Sequence, residues 1–286
     1  MTNQSEKTPS HDRVLIVTRI LAAIIVPILV AAFVMLFLFP DDTGRLFAWP
    51  IKPPMSAMML GATYLGGAYF FARVVFARQW HTVKLGFLPV TAFAAVLGIS
   101  TVLHWDRFTP GHISFILWAF LYFTLPLVIP IVWYLNRRVN RADPASSEPR
   151  LSLPVSLAIG ALGAVLAVVS VVLLVLPAVM IPTWPWTLSP LTARVMAAMF
   201  ALSGLVGLGI AVDRRWSSAR IIFQAQAISI VLILVSIVRA SDEITWTQWE
   251  SWLFIVGQLL VLALIGWAGL QSRKSRTAAQ SITTAQ

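Results

Sequence analysis

LPVSLAIGALGAVLAVVSVVLLVL, residues Leu153 to Leu176, runs for 24 residues without a charged side chain. A helix rises about 1.5 Å per residue, so roughly 20 apolar residues cross the ~30 Å of hydrocarbon in a bilayer. This stretch is therefore long enough to span a membrane. Its unbroken apolarity excludes a barrel strand, which would alternate polar and apolar over about ten residues. Seven other stretches read the same way. They run from Val14 to Phe39, Met55 to Ala77, Leu85 to His104, Ile113 to Tyr134, Leu191 to Val212, Arg220 to Arg239 and Glu250 to Leu270.

Composition agrees. Hydrophobic residues make up 58% of the 286-residue chain and charged residues 11%, with mean hydropathy +0.83. A soluble domain carries about 25% charge, so 11% is too little to clothe a water-facing surface. The fold expected is all-α: a polytopic integral membrane protein with eight transmembrane helices. Cysteine is absent, which excludes disulfides, thiolate nucleophiles and Cys-based metal centres. The first span is too long for a signal peptide, and no small-residue cleavage site precedes FPDD, so it is expected to be retained.

The net charge of +10 is not read as a nucleic-acid signal, because the basic residues lie in short loops between spans. Counting alternate loops, 16 of the 21 Lys and Arg fall on the side of the termini and five on the other. Cytoplasmic loops collect basic residues, so both termini are expected to be cytoplasmic, in the inner membrane of a bacterium. Arg19, five residues inside the first span, can reach the near interface with its stem.

A shift of 136 residues aligns Pro54 with Pro190 and continues without a gap to Trp118 and Phe254. Eleven of these 65 pairs are identical, which means little in so apolar a chain. The polar and aromatic matches say more. RQWHTVKLGF falls on RRWSSARIIF, pairing Arg78 with Arg214, Trp80 with Trp216 and Lys84 with Arg220. Ser100 meets Ser236, Asp106 meets Asp242 and Thr109 meets Thr245, while Trp49–Pro50 has a counterpart in Trp184–Pro185–Trp186. Two tandem four-helix repeats follow, and since four is even they share one orientation. The organisation expected is a first repeat at 1–140, a cytoplasmic linker at 141–152, a second repeat at 153–271 and a disordered tail at 272–286.

None of the 11 acidic residues falls mid-span, which argues against a carboxylate proton relay. Mid-span polarity is confined to groups such as Tyr64, Ser100, Tyr122, Thr124, Ser203, Ser236 and Gln258. Tyr122 and Gln258 are equivalent under the shift and are candidates for lining a shared cavity or for bonding between helices. Glycines in GATYLGGA, AIGALGA and SGLVGLG should let helices approach closely. Pro126 and Pro130 should kink the fourth span. The opposite face holds His104, Asp106, Arg107 and His112 in one turn and Arg239, Asp242, Glu243 and Glu250 in the other. Asp106 and Asp242 are expected in equivalent places, each held by a nearby base or by helix-start amides, as candidate entrance ligands. Two histidines eight apart match no metal-ligand pattern, and no cofactor is implied. Arg78, Trp80, Lys84, Arg214, Trp216 and Arg220 are expected to anchor the helices at the inner leaflet. The tryptophans of the outer face, including Trp49, Trp184 and Trp186, are expected to form an interfacial belt.

No catalytic set is visible. The reading favoured is a small transporter or permease component with its pathway between the repeats. The alternative is a non-catalytic scaffold, assembly or sensory partner. The lipid bilayer is the partner expected, with a membrane protein or a second copy of the chain as possible additions and no nucleic acid.

Overall fold

The computed structural model describes residues 12–140 and 148–283, with side chains up to residue 272. It is all-α, and eight of its helices are long and apolar enough to cross a membrane. They are α1 Ile16–Phe33, α2 Pro54–Phe76, α3 Phe87–Leu103, α4 Ile113–Val139, α5 Leu153–Val175, α6 Pro190–Asp213, α7 Trp216–Arg239 and α8 Trp249–Thr283. The apolar runs place these elements to within a few residues, with three exceptions. Helix α7 begins at Trp216 rather than Arg220, because the basic-aromatic turn is itself its first helical turn. Helix α4 continues to Val139.

The third exception is a correction. The tail from residue 272, expected to be disordered, continues α8 as far as Thr283. Its Arg, Lys, Gln and Ala are good helix formers, and they extend a helix that is already nucleated.

Proline ends the first span of each half in the same manner. Helix α1 passes through a π-helical turn, Val34–Leu38, to Phe39 at φ −124°, ψ 54°, and Pro40 follows. Helix α5 ends at Leu176, φ −126°, ψ 56°, and Pro177 follows. A proline has no N–H to donate to the preceding turn, so the ladder stops there. The chain then crosses the face opposite the termini and enters α2 and α6 through Pro54 and Pro190, each at the first helical position.

Glycine sets the closest helix contacts. A Cβ at Gly163 of α5 would lie 2.8 Å from the Gly204 carbonyl oxygen of α6, and one at Gly207 would lie 2.9 Å from that of Ile159. The two backbones are in contact, as the small-residue runs predict. Helix α1 packs on α2, and α3 on α4. Across the halves, α2 packs on α7 and α3 on α6. Helix α8 is the exception: it touches the rest sparsely and is the least buried of the eight.

The face that carries the termini is tied together by polar contacts. Pro149 and Leu151 pair with the turn between α6 and α7, Leu151 N donating to Arg214 O at 2.7 Å and Trp216 N to Pro149 O at 3.0 Å. Arg214 adopts the left-handed conformation, φ 55°, that lets the turn reverse. His81, which is buried, sits between two carboxylates. Its Nδ1 pairs with Asp12, and its Nε2 lies 3.1 Å from Glu148. Ser217 donates to Glu148 at 2.6 Å, and Ser218 to the His81 carbonyl at 2.9 Å. Residues 148–152 of the expected linker are thus pinned to the second half, while 141–147 lie outside the described residues. Asn136 and Asn140 of α4 bind the entry to α1, accepting from Leu15 N at 3.1 Å and Arg13 N at 2.7 Å.

Candidate functional site

The site is a cavity of about 570 Å³ among α2, α5, α6, α7 and the sparsely packed α8. Along α8 it runs from Trp249 to Val261, about 18 Å at 1.5 Å per residue. That distance reaches from the face opposite the termini to beyond the middle of the span. The volume falls within the ~300–1,000 Å³ typical of small-molecule pockets. Most of the wall is aliphatic. Val165 of α5 and Leu253 of α8 line it and are each 58% exposed, so it is open on the α5–α8 side.

A comparison of positions 136 apart shows how the surroundings of α4 and of α8 differ. In the first half, α4 closes on α3 across Gly98, where a Cβ would stand 2.6 Å from the Tyr122 carbonyl oxygen. Side chains fill the interior. The hydroxyls of Tyr64 and Tyr122 are 2.7 Å apart, Phe93 meets both rings edge-on at 6.3 Å, and Trp118 lies 4.3 Å from the Tyr122 ring. In the second half the corresponding residues are Leu234 for Gly98, Ser229 for Phe93 and Gln258 for Tyr122. Serine and glutamine are smaller than the rings they correspond to, and both border the cavity.

The polar groups in the wall fall into two sets. Thr63, Ser203, Gln226 and Ser229 are engaged. Thr63 donates to the Met59 carbonyl at 3.1 Å, Ser229 to the Ala225 carbonyl at 3.3 Å, and Gln226 reaches Ser203 at 3.4 Å. Four others have no hydrogen-bond partner among the described residues: the Gln258 amide, the Glu250 carboxylate and the indole N–H groups of Trp184 and Trp249. Trp184 is 94% buried, so its N–H is shielded from solvent yet unbonded. An unpaired N–H in such a place costs ~1–3 kcal/mol.

The residues singled out from sequence separate accordingly. Tyr122 is a buried bonding residue of the first half, whereas Gln258 lines the cavity. Asp106 pairs with Arg107 at 3.1 Å in an exposed contact. Asp242 is exposed and has no partner among the described residues. Arg239, the base closest to Asp242 in sequence, is engaged elsewhere. Arg239 donates to the Phe37 carbonyl at 2.7 Å, where the π-helical turn leaves an acceptor free, and covers the Phe37 ring. The carboxylate engaged at that corner is Glu243, which accepts from Met55 N at 2.9 Å in the first turn of α2. Burial raises the Glu243 pKa, the Met55 N–H opposes the shift, and Asp242 and Asp41 add to it.

The anchoring set also divides. Trp80 is buried and packs at a tilt against Phe87 at 4.9 Å, facing protein, while the half-buried Trp216 packs likewise against Phe223 at 6.0 Å. Lys84 lies 3.8 Å from Asp213, and Arg214 donates to the Leu151 carbonyl at 2.9 Å. Arg78 and Arg220 are exposed. The expected Trp belt loses three members: Trp49, Trp184 and Trp186 are buried. They pack in two similar clusters. Trp49 meets Trp118 at 4.8 Å, and Trp186 meets Phe254 at 5.4 Å.

Among the described residues no cluster of His, Asp or Glu could hold a metal ion. Sequence reasoning missed Trp184 as a polar group, Glu250 as a wall residue and the Gly98–Leu234 difference, although the last was legible in the aligned halves. No protein-family model matches the chain, and no curated protein or solved structure resembles it significantly.

Proposed function

We propose that the chain is a small transporter of the cytoplasmic membrane, with both termini on the cytoplasmic side, built from two parallel four-helix copies. Its substrate site is the cavity beside α8. The observation that carries this reading is the cavity itself, a pocket-sized space at membrane depth with an unpaired amide in its wall. The near-absence of charge in that wall favours a neutral, largely apolar substrate.

The duplication draws support from three relationships. Phe39 and Leu176 share their backbone angles before matching prolines. Thr109 N donates to Ala48 O at 3.1 Å, and Thr245 N to Pro185 O at 2.8 Å, closing the same corner in each half. The α2–α7 and α3–α6 packings exchange when the halves are swapped, as a two-fold relation requires. Divergence after duplication then leaves the site beside the last helix of the second half, with α2 of the first half as one wall. A second reading, a scaffold that binds a partner helix, draws on the sparse packing of α8.

The test uses the absence of native cysteine. Gln258→Cys should react with a small water-soluble thiol reagent in membranes at least ten-fold faster than Leu260→Cys on the lipid-facing side. Equal, negligible rates from both sides would mean no aqueous access and would sink the transport reading.

A further inference from the structure

The cavity is graded in chemistry along its length. One end, at the face opposite the termini, holds the Glu250 carboxylate beside Thr183 and the Trp184 ring. The walls from there towards the other face are mostly Leu, Val, Ile, Met and Phe, interrupted by the Gln258 amide and by Thr63, Ser203, Gln226 and Ser229, which bond within the protein. The open side lies between α5 and α8, where Val165 and Leu253 are both exposed and lined up with the apolar spans. That opening faces hydrocarbon rather than water. An apolar groove at that depth would be filled by any lipid chain, but the polar end makes demands. The Trp184 N–H is closed off within the wall, whereas Glu250 borders the cavity and offers acceptors to which none of the described residues donates. An unpaired carboxylate at the edge of hydrocarbon is costly and disfavours an anionic headgroup.

From this geometry we infer that the cavity binds one long aliphatic chain of an amphipathic lipid, admitted sideways between α5 and α8, with a zwitterionic headgroup whose ammonium group meets Glu250. The inference rests on the proposed transport reading for its purpose and on the cavity alone for its chemistry. The ~18 Å length along α8 suits an extended acyl chain. Burying each CH2 contributes ~0.8 kcal/mol when the alternative is water, but nearly nothing when it is bilayer, so the headgroup contacts must supply selectivity.

The experiment places the full chain in bilayer nanodiscs with lysophosphatidylethanolamine carrying a diazirine at mid-chain, followed by irradiation and peptide mapping. Labelling is expected on α5 and α8 segments containing Val165 and Leu253, and lysophosphatidylglycerol should compete at least ten-fold less well than unlabelled lysophosphatidylethanolamine. Gly257→Phe fills the cavity without a clash, since a Cβ at Gly257 meets nothing within 4 Å, and should remove the labelling. Glu250→Gln should abolish the headgroup preference while keeping the label. Uniform labelling of all lipid-facing helices, unchanged by Gly257→Phe, would overturn the inference, as would equal competition by the two headgroups. Co-purification of a partner helix that blocks the label would also overturn it. If labelling fails while Gln258→Cys still reacts from water, the lipid site falls and the transport reading stands. If labelling succeeds while that cysteine stays unreactive, the transport reading falls alone.

Discussion

The Thr63 hydroxyl lies 3.0 Å from the sulfur of Met199, and these two residues stand 136 positions apart, the offset at which the halves align. Two equivalent residues can touch only if they flank the axis that exchanges them. Thr63 of α2 and Met199 of α6 therefore mark where a pseudo-two-fold axis would pass.

A double variant, Thr63→Cys with Met199→Cys, should cross-link within one chain on treatment with a short bis-thiol reagent. With a protease site placed between the halves, the cross-linked product should stay together on a denaturing gel after cleavage. Separation of the halves after complete reaction at each single cysteine would remove Thr63 and Met199 from the axis.

Gly98→Leu puts into the first half the residue that occupies the matching place in the second. The new side chain meets the Tyr122 backbone, where even a Cβ would be 2.6 Å away, so α4 must move or the core must strain. Overpacking of this kind costs ~1–3 kcal/mol. Thermal unfolding in detergent should show a lower midpoint, and an unchanged one would mean that α3 and α4 are not in backbone contact.

Tyr122→Phe removes one partner of the buried Tyr64–Tyr122 bond and leaves the other hydroxyl unsatisfied, at a cost of ~1–3 kcal/mol. Replacing both tyrosines by phenylalanine should recover part of that loss, because no orphan remains. A double variant as damaged as the sum of the singles would show that the two hydroxyls do not interact.

Arg194 contacts His104 Nε2 at 2.7 Å, and burial together with Arg194 lowers the histidine pKa, with Arg107 acting the same way and Asp106 opposing. The unfolded chain then binds the proton more readily than the folded one, so stability rises with pH across the window. Its contribution is complete above about pH 6.5 and is lost as pH falls through the depressed folded value. Glu243 acts in the opposite sense: its raised pKa makes stability fall as pH rises above about 4.3. The two are separated by comparing the wild type with His104→Gln. The variant should lose the part of the midpoint's decline between pH 7 and 5 that belongs to the histidine, and identical pH profiles would contradict the assignment.

The eight spans were legible in the sequence because length and apolarity are local properties. Helix α8 shows where this ends. Its apolar run ends at Leu270, but a helix needs no apolar face to continue once it has started, so the tail escaped the reading. The site was half legible. The 136-residue shift singled out Gln258 and Tyr122 together, yet one fills space and the other borders it. Part of that difference lies at Gly98, which lets α4 close on α3 at Tyr122, whereas the position 136 residues on is Leu234. Glu243 was passed over for Asp242 because sequence cannot say which of two adjacent carboxylates turns towards Met55 N.

The polar knot around His81 has a mechanical consequence. It gathers the entry to the first helix, the turn between α2 and α3, the link between the halves and the start of α7 at a single end of the molecule. Such a tie acts as a fulcrum, leaving the Arg239–Phe37 and Glu243–Met55 contacts to resist tilt at the other end. With the far ends ~30 Å away across the hydrocarbon, a tilt of about five degrees displaces them by roughly 2–3 Å. Motion of the helices should accordingly grow with distance from the termini, and the mouth beside Trp184 and Glu250 lies where the displacement is greatest.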